Sequence, residues 1–208
     1  PDGFRLNKNG NVLNMPGTDL RFPFPEAPAP GAFIEIAPGI LWLRLPLPFR
    51  LDHVNVYLIE DGDGWAVVDA GIGNDASRQV WEALVAGPLA GRRLTRLIVT
   101  HYHPDHIGLA GWLCKRFDIP LLTSETSWLG CLNISLNPGA LDAKPYRDFY
   151  ARHGLDADTT GLVCSQGHNY LTMVEPLPPT FMRLVAGDTL KIGGRRFEVL
   201  SGDGHAPE

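Results

Sequence analysis

The sequence has few cysteines, and their spacing gives no sign of a disulfide framework. The 208 residues include three cysteines, Cys114, Cys131 and Cys164, and no two of them have C-x-x-C spacing. An odd count without paired spacing favours reduced thiols, which is typical of a cytoplasmic protein. The chain begins at Pro1 rather than Met. A secretory signal removed in processing therefore stays open as an alternative to a cytoplasmic location.

An excess of basic residues and long apolar runs are also lacking. Lysine and arginine number 18 against 23 aspartates and glutamates, for a net charge of −5. Nothing concentrates positive charge as a binder of phosphate backbones requires, because Arg92, Arg93 and Arg96 form only a short cluster. No apolar run approaches the roughly 20 residues that span a bilayer. We therefore expect a small-molecule substrate, and neither a nucleic-acid nor a membrane partner.

The composition is otherwise typical of a globular protein, and the N-terminal segment has no periodic pattern. Residues 1–31 carry many prolines and glycines without any period, which predicts an extended N-terminal arm on the surface. In an alternative interpretation, Phe22 and Phe24 pack this arm over another subunit, which leaves a homo-oligomer open. Residues 32–208 are expected to form one domain.

Within that domain the pattern changes twice along the chain. Alternating apolar residues with tight turns predict a β-meander that ends at Asp69-Ala70-Gly71. Helical and strand patterns then alternate as far as residue 123, which predicts an α/β architecture with a mixed sheet. Residues 124–181 break this rhythm, and we expect a helical insertion there, a candidate wall of a substrate site. A hairpin follows near residues 190–200.

The chemistry is concentrated in the motif His101-x-His103-x-Asp105-His106. The motif begins where the apolar strand Leu97–Val99 ends and closes where a helical pattern starts. Imidazole nitrogens and a carboxylate suit zinc, with iron or manganese as alternatives. His101 and His103 are two apart, so an extended backbone points both to one side. Asp105 and His106 lie on the turn into the helix and face a second position. The spacing therefore predicts two adjacent divalent metal ions, and Asp105 is also the candidate catalytic residue that orients an attacking water.

This motif resembles that of the metallo-β-lactamase-fold hydrolases, in their glyoxalase II-like subgroup. The segment Val67–Gly71 is similar to the first motif of the family, which implies that Asp69 holds the histidines through hydrogen bonds. Gly204-His205 resembles the third motif, which implies that His205 is the third ligand of the first metal. The implied fold is a metallo-β-lactamase-type αββα sandwich.

The chain departs from the family pattern at its carboxyl end. The pattern continues with an aspartate that bridges both metals and then a last histidine, whereas only Ala206, Pro207 and Glu208 follow His205. We therefore expect the C-terminal half of the second sheet to be missing from this chain, and the chain on its own to be inactive if those ligands are needed.

The expected function is that of a metal-dependent hydrolase. The resemblance implies a metal-activated water that attacks an ester, thioester, lactone or lactam of a small molecule. Two alternatives are a mononuclear iron oxygenase acting on a thiol persulfide and a non-catalytic metal-binding protein. Candidate substrate-binding residues are His53, Tyr146 and Tyr170.

Overall fold

The computed structural model describes residues 23–208, so residues 1–22 of the predicted arm, including Phe22, lie outside it. Four antiparallel strands open the fold, in the predicted β-meander. They are β1 (Phe33–Ala37), β2 (Ile40–Pro46), β3 (His53–Asp61) and β4 (Gly64–Val68). The turn between β3 and β4 is tight because Gly62 takes a φ of +67°, which a glycine adopts without steric cost.

Helices and parallel strands then alternate. They are α1 (Asp75–Ala86), β5 (Arg93–Ile98), α2 (Pro104–Ile107), α3 (Ala110–Phe117) and β6 (Leu121–Thr123). Strand β5 lies parallel to β4 on one side and to β6 on the other. The sheet therefore changes from antiparallel to parallel at β4, which confirms the predicted mixed sheet.

The region predicted as a helical insertion connects two neighbouring parallel strands. It leaves β6 at residue 123 and returns in the two-residue strand β7 (Met182–Arg183), which pairs parallel with β6. In between lie α4 (Glu125–Leu136), a 3-10 helix (Pro138–Asp142), α5 (Lys144–Arg152), α6 (Ala157–Cys164) and α7 (Gln166–Leu171). Among residues 23–208, no helix combines the length and the hydropathy that crossing a bilayer requires.

Alternation of apolar residues along the strands divides the core in two. Successive side chains of a strand point to opposite faces of the sheet. On β4, Trp65 and Val67 join the large cluster that includes Trp81 of α1 and Leu113 of α3. Ala66, between them, faces the other side. The helices therefore cover one face of the seven-stranded sheet.

A short hairpin covers part of the opposite face. Strands β8 (Thr189–Ile192) and β9 (Arg195–Glu198) form a separate two-stranded sheet. Ile192 packs with Ile59 and Ala66 in a second small core. Helices, a large sheet and a small sheet thus follow one another in layers, as the predicted metallo-β-lactamase-type α/β fold requires. Among the described residues, the small sheet has two strands.

Candidate metal centre

The candidate site lies at the sheet edge where β4 and β5 end together. Val68 and Ile98 are direct partners at the ends of these parallel strands. The backbone N–H of Asp69 donates to the Ile98 carbonyl at 2.8 Å and continues the ladder by one residue. Residues 100–106, named here the histidine loop, follow β5 and enter α2. Because β4 and β5 are parallel neighbours, Asp69 and the histidine loop lie at the same edge of the sheet.

Three histidines converge on one point. Nε2 of His101 lies 3.1 Å from Nδ1 of His103, and that Nδ1 lies 2.9 Å from Nε2 of His205. One ligand atom from each of the three lies within 4.8 Å of the others. Nitrogens on one tetrahedral zinc lie roughly 3.3 Å apart, since Zn–N bonds are roughly 2.0–2.1 Å long. The three side chains therefore fit a shared metal ion, and their role as its ligands stays a prediction.

His205 reaches this point from the other layer of the fold. It follows the β8–β9 hairpin and is exposed, while its neighbour Ala206 is buried. A cavity of about 220 Å³ opens beside His101 and His205. The three-histidine cluster is thus accessible from solvent and joins the edge of the large sheet to the chain beyond the small one.

Asp105 and His106 form a second pair beside the cluster. Oδ2 of Asp105 lies 3.3 Å from Nε2 of His106, so both atoms point to one position. The ring centroid of His106 lies 4.0 Å from that of His101. The division of the motif between two ions, His101 with His103 and Asp105 with His106, stays a prediction.

The Asp69 carboxylate holds the histidine loop through hydrogen bonds, and Asp69 is only 5% exposed. Oδ1 accepts from the backbone N–H of Thr100 at 2.8 Å, and Oδ2 lies 2.8 Å from Nδ1 of His106. The Thr100 hydroxyl lies 3.0 Å from both carboxylate oxygens and 3.0 Å from Nδ1 of His101. A hydroxyl that donates to Asp69 accepts from Nδ1–H of His101. Asp69 therefore favours the tautomers that leave Nε2 of His101 and of His106 free to bind a metal.

Burial and mutual contact set the charge of these groups. Burial, followed by the neighbouring imidazoles of His106 and His103, lowers the pKa of His101 to about 4. Burial also lowers the pKa of His103. Burial opposes ionisation of Asp105, yet its hydrogen bond with His106 leaves the pKa of the carboxyl below its ordinary value. Neutral imidazoles and an ionised carboxylate are the forms that bind metals.

For His106 the balance of these effects is reversed. Burial acts to lower its pKa, but the hydrogen bonds with Asp105 and Asp69 outweigh burial and raise the pKa to about 9. The two carboxylates thus create a strongly negative environment around this ring. A divalent cation is stabilised by the same environment.

The three candidate substrate-binding residues occupy different places. His53 begins β3, with Nδ1 2.7 Å from Oδ1 of Asp52, and Tyr146 is 45% exposed on α5. Their roles stay predictions. Tyr170 needs a correction, because it is only 6% exposed and its hydroxyl donates to the Tyr102 carbonyl at 2.6 Å. A buried ring with its hydroxyl already paired supports the loop and does not line an open surface.

Sequence reasoning missed two members of the site. Thr100 links Asp69 to His101, and its position directly before the first histidine of the motif was a usable signal. The main-chain carbonyl of Tyr102 accepts from Tyr170, 68 positions away. No sequence pattern marks a contact between residues at that separation.

Comparisons with known proteins assign the chain to a family. The family model of the metallo-beta-lactamase superfamily matches residues 49–207, so the chain belongs to that superfamily. Its fold is also that of a beta-lactamase domain protein from Burkholderia ambifaria, with a TM-score of 0.74 and 38% identity. That match covers 88% of this chain and 51% of the other.

Two curated relatives match shorter stretches. A probable metallo-hydrolase, YybB of Bacillus subtilis, is 39% identical over 83 residues, which is 39% of this chain and 34% of the relative. Ribonuclease J of Corynebacterium glutamicum is 34% identical over 123 residues, which is 55% of this chain and 16% of the relative. The chain thus spans about a third or less of these curated relatives and about half of the solved structure. Together these likenesses show the superfamily to which the chain belongs.

Proposed function

We propose that the chain forms the metal centre of a hydrolase that acts on an ester, thioester, lactone or lactam of a small molecule. The observation that carries the proposal is the convergence of His101, His103 and His205 within 4.8 Å, beside the Asp105–His106 pair. Three imidazoles on one position and a carboxylate with an imidazole on the next suit two adjacent divalent cations. We propose zinc for both, since nitrogen-rich ligand sets are typical of zinc.

In this proposal the residues of the site have separate roles. His101, His103 and His205 would hold one ion, and Asp105 with His106 the other. A bound divalent ion lowers the pKa of a coordinated water to about 7 and polarises a substrate carbonyl. Asp105 is ionised, so its carboxylate can accept a hydrogen bond from the attacking water and orient it. Asp69 keeps the rings of His101 and His106 in the required tautomers, as described above.

Charge supports an acyl substrate over a nucleic acid. The net charge of −5 opposes the approach of a polyanion. The likeness to ribonuclease J covers 55% of the chain, and an RNA oligonucleotide therefore belongs in the substrate panel as a contrary case.

Elemental analysis and a substrate panel test the proposal on the protein in its longest native form. We expect about two equivalents of zinc-like metal and hydrolysis of a thioester or lactone. His103→Ala should lose metal and hydrolysis. His153→Ala is the matched control, because exposed His153 directly follows α5 and its Nδ1 lies 2.8 Å from the Phe149 carbonyl. Full activity in His103→Ala would overturn the assignment.

Other outcomes would support different functions. One equivalent of iron with oxygen consumption on a thiol persulfide would support the oxygenase. Bound metal without turnover of any compound would support a non-catalytic metal-binding protein. Cleavage of RNA alone would contradict the small-molecule substrate.

A further inference from the structure

A part-buried hydrogen bond joins the helical insertion to the histidine loop. The Tyr170 hydroxyl on α7 donates to the main-chain carbonyl of Tyr102 at 2.6 Å. Burial raises the pKa of Tyr170, so the hydroxyl stays protonated and acts as a donor. The Tyr102 carbonyl belongs to the peptide group that links Tyr102 to His103. Tyr170 therefore acts on the backbone one peptide bond away from a candidate metal ligand.

The Tyr102 side chain is fixed by the same part of the insertion. A Cβ added at Gly130 of α4 would lie 3.3 Å from Cδ1 of Tyr102, so the ring lies directly against the helix at a glycine. The Tyr102 ring centroid also lies 5.2 Å from that of His103. Buried Cys131, next to Gly130, lies beside the Tyr170 hydroxyl. Helices α4 and α7 therefore hold both the carbonyl and the ring of Tyr102.

The two peptide groups that flank His103 are thus held by different elements. On the carboxyl side, the His103 carbonyl accepts from the backbone N–H groups of His106 at 2.9 Å and Ile107 at 3.0 Å, in the first turn of α2. On the amino side, the peptide of Tyr102 is held by Tyr170. With both peptides fixed, the His103 ring can take only orientations that its side-chain rotamers allow.

We propose that Tyr170 is a positioning residue, which fixes the peptide before His103 and so aims Nδ1 of His103 at the position shared with His101 and His205. The inference rests on the proposed function, because it assigns Tyr170 to the same metal centre. Removal of the Tyr170 hydroxyl leaves the part-buried Tyr102 carbonyl without this donor, and the loop can relax toward another arrangement. Groups that orient metal ligands typically contribute 10- to 100-fold in affinity.

The test compares Tyr170→Phe with the unmodified protein. Zinc affinity is measured by competition with a chromogenic chelator, and geometry by the visible absorption bands of the cobalt-substituted protein. We expect Tyr170→Phe to bind zinc about 10-fold more weakly and to shift the cobalt bands. The matched control is Tyr150→Phe on α5, whose hydroxyl has no hydrogen bond to the histidine loop among residues 23–208. Tyr150→Phe should leave affinity and spectrum unchanged.

A second variant keeps the inference testable if Tyr170→Phe loses its fold. Gly130→Ala places a methyl group against the Tyr102 ring, which must shift by a few tenths of an ångström. We expect a several-fold loss of zinc affinity in this variant too. Thermal unfolding of each variant reports whether the fold is retained.

The outcomes separate this inference from the proposed function. Folded Tyr170→Phe with the zinc affinity and cobalt spectrum of the unmodified protein would overturn the positioning role alone. An unmodified protein that binds zinc through the histidines but hydrolyses nothing would overturn the proposed function and leave the positioning role intact. An unmodified protein that binds neither zinc nor cobalt would overturn both.

Discussion

Oδ2 of Asp69 lies 2.8 Å from Nδ1 of His106, across 37 positions of sequence. The contact ties the end of strand β4 to helix α2 and turns Nε2 of His106 toward Asp105. The backbone repeats this tie, because the N–H of Ala70 donates to the His106 carbonyl at 2.7 Å. Asp69 takes a φ of +66°, an uncommon conformation that aspartate and asparagine tolerate better than most residues. The metal centre therefore depends on a residue that touches no proposed substrate.

Two different replacements of Asp69 should have different effects on the stability of the protein and on its metal affinity. Asp69→Ala removes the buried, charged acceptor of the Thr100 N–H and should lower the free energy of unfolding by about 1–3 kcal/mol. Asp69→Asn keeps an acceptor for Thr100 and tolerates the positive φ, so it should retain most of the stability. Its amide cannot accept from both Thr100 and His106, and we expect metal affinity to fall about 10- to 100-fold. Chemical denaturation and zinc titration check the pair, and equal zinc affinity in Asp69→Asn would contradict the orienting role.

Asp105→Asn should affect one of the two proposed ions. An amide is a poor replacement for a carboxylate beside His106, whereas the three-histidine cluster keeps all its nitrogens. We expect the metal content to fall from about two equivalents to about one and hydrolysis to fall by about 10²- to 10⁴-fold. Asp158→Asn on the exposed face of α6 is the control. Retention of both equivalents in Asp105→Asn would show that Asp105 is not a ligand.

Removal of metal should destabilise the protein through His205. A ligand that binds only the folded state stabilises it, by about 2.7 kcal/mol at a hundred times its dissociation constant. A chelator should therefore lower the unfolding temperature of the unmodified protein. In His205→Ala the cluster keeps two nitrogens, and the chelator should have a smaller effect. Calorimetry with and without the chelator measures both, and an equal shift in the two proteins would argue against ligation by His205.

Gly108 marks a close approach of three backbone segments below the site. A Cβ there would lie 2.3 Å from the Pro104 carbonyl oxygen, 2.5 Å from the Gly73 nitrogen and 2.6 Å from the Met173 carbonyl oxygen. Backbone atoms cannot swing aside, so Gly108→Ala should cost about 3 kcal/mol of unfolding free energy or more. Gly161→Ala in α6 meets nothing within 4 Å and should be neutral or stabilising by about 1 kcal/mol. Urea denaturation of the two variants compares them directly.

Much of the fold and the first ligands of the site could be predicted from local patterns. The tight turn at Gly62 and the alternation on β4 each follow from a few neighbouring residues. The motif from His101 to His106 carries its own geometry, because the backbone changes there from extended to helical. The place of His205 in the cluster came from the resemblance alone, since a histidine near the end of a chain has no local signal.

Contacts between distant side chains could not be predicted. Tyr170 was expected to face a substrate because it lies in the helical insertion, the candidate wall of a substrate site. Its contacts with Tyr102 and Cys131 instead join elements that are far apart in the sequence. Strand β7 is two residues long and pairs with β6 across the whole helical insertion. Neither feature has a periodic pattern of its own.

The separation of 102 positions between His103 and His205 has a consequence for biogenesis. When the ribosome has synthesised the histidine loop, the chain contains two of the three histidines of the cluster. The third, His205, follows after about a hundred further residues, some 5–20 seconds later at ordinary rates of synthesis. Under the proposed function, tight capture of the ion would therefore wait until the small hairpin has docked on the sheet. Metallation would then be a late step, completed only by chains that have already assembled both layers.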